Sequence, residues 1–154
     1  MTLEDTGMLT ALRHDPGITL LDRAQAKTPE ETKKIYHDAL SSDFYFMSTN
    51  AITKDGELVN IDGTGNRVAA LIYGPEHVIV MAGMNKVAAN VDEALSRVHG
   101  TATPMNCKRL GKNTPCSATG VCSDCLSPDC ICNQVVITRR SGIEGRIKVI
   151  LIGE

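Results

Sequence analysis

Apolar residues along the chain come in short blocks that alternate between helical and extended spacing. Residues 8–12 read as part of a short helix that stops before the breaker pair Pro16-Gly17. Ile18, Thr19, Leu20 and Leu21 then read as a short strand. Thr28 is placed to cap a helix, with Pro29 suited to its first turn and Glu30 and Glu31 to its positive end. Ile35, Tyr36, Ala39 and Leu40 give that helix an apolar face. Phe44–Met47 is a compact β-type run. Ala51–Thr53 and residues 57–61 flank Lys54-Asp55-Gly56, and an Asp-Gly between β-prone pieces signals a hairpin.

Asp62-Gly63-Thr64-Gly65-Asn66 is a glycine-rich turn that runs into a short helix, which Gly74-Pro75 stops. Residues 77–82 form an unbroken apolar run, as in a parallel strand covered on both faces. Asn90 starts another helix, with Val91, Ala94, Leu95 and Val98 facing inward and Gly100 at its end. Gln134–Thr138 and Ile147–Ile152 read as two strands, which residues 141–145 would turn into an antiparallel pair. Strands alternating with helices predict one α/β domain over residues 1–154 with a mainly parallel sheet.

Composition narrows the function. The 154 residues are 42% hydrophobic and 22% charged, which suits a globular domain. Three Tyr, two Phe and no Trp argue against an aromatic platform for nucleic acid, and a net charge of −2 provides no basic field for one. The acidic N-terminus lacks the order of a signal peptide, and the longest apolar stretch, residues 78–84, is too short to span a bilayer. The expected location is cytoplasmic, with no membrane and no nucleic-acid partner.

All six cysteines lie between Cys107 and Cys132. In a reducing compartment, clustered cysteines point to metal or redox chemistry before disulfides. From Cys116 the spacing is C-x5-C-x2-C-x4-C-x-C, and Cys107 stands nine residues earlier. Pro115, Gly120 and Pro128 predict a loop over residues 107–133, and a loop of that length is normally functional. Three readings stay open: a four-thiolate zinc or iron–sulfur centre, a redox dithiol at Cys122 and Cys125, and inert buried thiols. No His falls between Cys107 and Cys132, which disfavours a mixed Cys/His finger. His14, His37, His77 and His99 have no partner at ligand or triad spacing, and no Ser or Thr sits in a nucleophile elbow.

Asp62-Gly63-Thr64-Gly65-Asn66-Arg67 is the second candidate site. Its glycines would let a ligand approach the backbone, and Arg67 would pair with a carboxylate or phosphate. The same residues also suit a tight turn with a capping Asp or Asn and a structural Arg–Asp pair.

The block Ser48-Thr49-Asn50-Ala51-Ile52-Thr53, the run from Gly56 through Asn60-Ile61-Asp62-Gly63-Thr64-Gly65-Asn66-Arg67 to Ala69, Pro115-Cys116, Cys122-Ser123-Asp124-Cys125 and Ile131-Cys132-Asn133 resemble the LUD (lactate-utilisation) domain family. The resemblance implies a Rossmann-like sheet of the ribose-5-phosphate isomerase/CoA-transferase type. It also implies a subunit or accessory factor in oxidation of lactate or a related organic acid, working with redox partner subunits. Family members are longer at the N-terminus, so the resemblance implies a domain without its first strand. It narrows the metal set to Cys116, Cys122, Cys125 and Cys132, with Cys107 and Cys130 as extras and either an iron–sulfur cluster or zinc as cofactor. It places Asn50, Asp62, Gly63, Gly65, Asn66 and Arg67 at the carboxyl ends of parallel strands, where a small anionic or phosphorylated metabolite would bind. An enzyme acting on such a metabolite, with Asp62 as acid/base and Arg67 as anion clamp, is the second functional expectation. A structural zinc protein that works through partners is the third.

Overall fold

The computed structural model of the chain describes residues 2–153. Two short helices, α1 (Thr2–Asp5) and α2 (Met8–His14), precede α3 (Pro29–Ala39). Thr28 caps α3 as its sequence predicts, accepting from Glu31 N at 3.1 Å. Strands β1 (Phe44–Met47), β2 (Ala51–Thr53) and β3 (Leu58–Asp62) lead into α4 (Asn66–Ile72). Then come β4 (His77–Gly83), β5 (Val87–Ala88) and α5 (Val91–Arg97), capped by Asn90 through Glu93 N at 2.9 Å. A π-helical segment (Val98–Ala102) joins α5 to α6 (Thr103–Arg109), and α7 (Pro115–Thr119), β6 (Gln134–Thr138) and β7 (Ile147–Ile152) follow. Among the described residues no helix is long and apolar enough to cross a membrane.

The fold is mixed α/β, with its strands divided between two sheets rather than gathered in one. The first sheet has the order β1-β4-β7 and is wholly parallel. The second has the order β5-β2-β3-β6, where β2–β5 is parallel and the other two pairings are antiparallel. The β2–β3 hairpin forms as expected, with Ala51 opposite Val59 and Gly56 at φ 88° in its turn.

Alternation along β2 and β3 sends side chains into two cores. Ile52 and Leu58 join Met47, Leu71, Val78 and Val80. Ala51, Val59 and Ile61 join Ala88, Ala94 and Val98, and so bind the second sheet to α5 and the π segment. Leu71 is fully buried, and truncating such a side chain to alanine costs about 2–5 kcal/mol.

Four local expectations are corrected. Residues 18–21 form no strand: Ile18 and Leu21 stay exposed, and no strand edge bonds to them. Residues 107–133 are not one loop, since α6 carries Cys107 and α7 carries Cys116. Pro115 sits in the first turn of α7, where the missing N–H costs nothing. Gly100 does not end a helix, because the π segment carries the winding through it into α6.

The fourth correction is that β6 and β7 are not paired with each other. β6 lies antiparallel to β3, and β7 lies parallel to β4 in the other sheet. Arg146 is the physical reason. Its buried guanidinium donates to Pro75 O at 3.0 Å, Leu71 O at 2.7 Å and Ala70 O at 2.9 Å. Ala70 and Leu71 lie in the last turn of α4, where helix carbonyls lack intrahelical partners, and Pro75 lies just beyond it. Val78 N also donates to Arg146 O at 2.8 Å. The anchor thus sets β7 against β4 before it begins.

Candidate functional site

The six cysteines converge from several elements on one cavity of about 190 Å³. α6 supplies Cys107 and α7 supplies Cys116, both buried. The irregular chain after α7 brings Cys122, Cys125, Cys130 and Cys132. All six are free thiols. The extras of the family resemblance, Cys107 and Cys130, therefore share a wall with Cys116, Cys122, Cys125 and Cys132.

Local hydrogen bonds hold several sulfurs in place. Asp124 lies at φ 50°, and this left-handed turn lets its N–H donate to Cys122 Sγ at 3.4 Å. Cys132 N donates to Cys130 Sγ at 3.4 Å. Thr114 Oγ1 lies 3.3 Å from Cys116 Sγ. The backbone of Ser127 lowers the pKa of Cys125. Burial pushes Cys107 up and pushes Cys132 up to about 12.

His99 is the residue that reading the sequence missed. It lines the same cavity, with Nδ1 3.4 Å from Cys122 Sγ. The π segment puts it there, and a wide turn inside a helix is a recurrent feature of functional sites. No spacing in the sequence announces a π turn, so His99 read as a lone histidine.

Thiols and imidazole suit zinc, and thiolates alone suit an iron–sulfur cluster. Backbone N–H groups point at the sulfurs of Cys122 and Cys130. Among the described residues, however, no three or more His, Cys, Asp or Glu side chains stand close enough to hold one ion. The donors share a wall and do not yet meet at a point.

The glycine-rich turn is built differently. Asp62 Oδ1 accepts from Thr64 N at 3.3 Å and from Gly65 N at 3.0 Å. Gly65, at φ 85°, starts α4 in a conformation that disfavours a side chain. Thr64 Oγ1 donates to Asn66 Oδ1 at 2.7 Å. Asp62 Oδ2 takes Arg67 Nε at 3.3 Å. Arg67 Nη1 donates to Ser48 O at 3.0 Å and to Asn60 Oδ1 at 2.7 Å. Arg67 Nη2 donates to Asn50 Oδ1 and to Ile61 O, both at 2.9 Å. A guanidinium has five N–H donors, and all five are engaged inside the protein. Burial lowers the pKa of Arg67, which the Asp62 charge opposes.

The structure gathers Asn50, Asp62, Gly65, Asn66 and Arg67 into one hydrogen-bonded network with Gly63 in the same turn, but the expected place at the carboxyl ends of parallel strands is corrected: Asp62 ends β3, which runs antiparallel to both β2 and β6. In that network the polar atoms bind one another. Beside it lie residues that the sequence reading did not single out. Lys86 Nζ donates to Ser48 Oγ at 2.7 Å, and Arg97 Nη1 donates to Asn50 O at 2.7 Å. Burial, then the nearby Arg97 and Arg67 charges, lower the pKa of Lys86.

No curated protein and no solved structure matches the chain. One family model, the LUD domain, matches residues 1–152. A match over nearly the whole length shows that the chain belongs to the LUD domain family.

Proposed function

We propose that this LUD-domain protein serves the oxidation of lactate or a related organic acid, as a subunit or accessory factor beside redox partner subunits. Its own contribution is a metal centre, zinc or iron–sulfur, drawn from Cys116, Cys122, Cys125 and Cys132. The observation that carries the reading is the convergence of every cysteine of the chain on one cavity. A bound ion or cluster would supply charge neutralisation for the thiolates and, if it contains iron, an electron site. The chain's part is to hold Cys116 on α7 and the other three sulfur donors on the irregular segment after it, with Asp124 N steadying Cys122.

The test is metal analysis with a visible spectrum on anaerobically purified protein. Stoichiometric zinc in a colourless protein, or iron with broad visible absorption, is the expected outcome, and Cys122→Ser should lower the content. Protein without either metal, with six thiols open to a thiol reagent, would remove the centre. The link to organic acids is tested separately: disrupting the gene should slow growth of its host on lactate.

A further inference from the structure

We propose that Lys86 and Arg97 form a binding site for the carboxylate of a small organic acid, at the carboxyl ends of β1 and β4. The site uses no residue that lines the cysteine cavity. The first sheet is the wholly parallel one, and in open α/β sheets ligands settle outside the carboxyl ends of parallel strands. Ser48 is the first residue after β1, and Met84–Lys86 is a tight helical turn directly after β4. The two strands are neighbours, with Met47 opposite Val80, so the two loops leave the sheet side by side. Lys86 Nζ spans them by donating to Ser48 Oγ at 2.7 Å, and Ser48 Oγ donates to Met81 O at 2.6 Å. Arg97 ties the same loops from α5. Its Nη1 donates to Asn50 O at 2.7 Å and its Nε to Asn85 O at 3.0 Å. Ser48, Lys86 and Arg97 are partly buried, so each still has a face that a ligand can reach.

Three cations meet on residues 48–50, because Arg67 Nη1 also donates to Ser48 O at 3.0 Å. Arg67 is balanced by Asp62. Arg97 is not: both of its bonds end on neutral carbonyls, and among the described residues it has no ion pair and no partner for Nη2. Burial lowers the pKa of Arg97, and burial followed by the charges of Arg97 and Arg67 lowers that of Lys86, as crowding like charges out of water must. Asn60 adds a buried donor beside them. Its Oδ1 accepts from Asn50 N at 3.3 Å, while its Nδ2 has no partner. Uncancelled positive charge at the end of a parallel sheet calls for an anion. The loops also select the kind of anion. Phosphate cradles present a nest of backbone N–H groups. These loops turn the carbonyls of Ser48, Asn50, Met81 and Asn85 toward the cations instead, and Asn50 N is already spent on Asn60. Two side-chain cations, one with a single guanidinium nitrogen to spare, match the two oxygens of one carboxylate. That the acid is small and organic rests on the proposed role in organic-acid oxidation; the cation pair itself does not.

The experiment is thermal denaturation and isothermal titration of the purified full chain with sodium L-lactate, sodium pyruvate and sodium phosphate, each against sodium chloride at equal ionic strength. Lactate or pyruvate should raise the melting temperature where chloride does not. Lys86→Met keeps the stem and removes the charge, and Lys86→Arg restores the charge. Lys86→Met and Arg97→Gln should each weaken binding by more than about tenfold, as loss of a charge-assisted hydrogen bond does, and Lys86→Arg should recover part of it. Circular dichroism shows which variants fold, and the Lys86 pair decides if Arg97→Gln, which also loses loop contacts, does not. No binding of either acid by the parent, or unchanged binding in Lys86→Met, would overturn the site. Stabilisation by phosphate alone would overturn its assignment to a carboxylate. Growth of the disrupted host on lactate is a separate readout: normal growth would remove the role in organic-acid oxidation, and a measured affinity for the carboxylate would still stand.

Discussion

Asn133 Nδ2 donates to the carbonyl of Gly63 at 2.9 Å, while Asn133 N donates to Asp62 O at 3.0 Å. These two bonds tie the end of the cysteine-rich segment to the glycine-rich turn, so the two candidate sites share a seam. Gly63 also faces Ile131, where an added Cβ would meet the Ile131 Cα at 3.5 Å. Asn133→Ala deletes the side-chain bonds to Gly63 O and, at 3.4 Å, to Cys130 O, and leaves the backbone bond. It should cost about 1 kcal/mol, the usual net worth of a hydrogen bond, measured by urea unfolding. It should also speed alkylation of Cys130 and Cys132, because the strand start that holds them is freed. Unchanged alkylation would show that the seam does not control the cysteine segment.

Arg67 should behave as a structural clasp. With five internal bonds, Arg67→Ala takes a donor from Ser48 O, Asn50 Oδ1, Asn60 Oδ1 and Ile61 O, and leaves Asp62 without its cationic partner. The expected loss is about 3 kcal/mol, as for breaking a largely buried ion pair from one side. Arg67→Lys should recover less than half, since an ammonium brings three donors and no planar fork. A variant as stable as the parent that binds an anionic metabolite more weakly in a thermal-shift series would instead assign Arg67 to ligand binding.

What could be read in the sequence is what depends on neighbours in the chain. The Thr28 and Asn90 caps and the Asp55-Gly56 hairpin each involve residues within a few positions, and each forms as expected. Choice of strand partner is not local. Residues 18–21 have strand chemistry, yet no strand edge bonds to them in the structure. β6 and β7 adjoin in sequence but serve different sheets, because Arg146 is fixed at α4. The same limit applies at the sites. The cysteine cluster shows in its spacing, but His99 reaches it through one π turn that leaves no mark on apolar periodicity. Arg67 is visible as a cation, but its acceptors come from two separate segments, residues 48–50 and 60–62, so its engagement is not.

Arg146 offers a direct check on that account of strand order. Its three carbonyl partners lie at the end of α4 and just beyond it. Arg146→Met keeps most of the buried stem and removes the fork. The expected destabilisation is about 3 kcal/mol, summed over lost charge-assisted bonds and carbonyls left dry. Hydrogen exchange should accelerate in both α4 and β7. Acceleration in α4 alone would mean that β7 finds its register without this anchor.

Asp22 should carry part of the acid sensitivity of the N-terminal region. Burial by itself would raise its pKa; hydrogen bonds from Arg13 and Ala24 N outweigh that and hold it below the ordinary range of an aspartate. The contacts are Arg13 Nη2 at 2.6 Å, Arg13 Nε at 2.9 Å and Ala24 N at 2.9 Å. A carboxylate whose folded pKa is depressed contributes stability that is fully present above its unfolded pKa. That contribution is lost as pH falls through the folded value, because the unfolded chain takes up the proton first. The loss should therefore begin near pH 4 and continue below it. Asp22→Asn should lower stability at neutral pH and flatten the decline in urea midpoint between about pH 5 and 2. A parent and variant that decline in parallel over that range would mean that other carboxylates set the acid response.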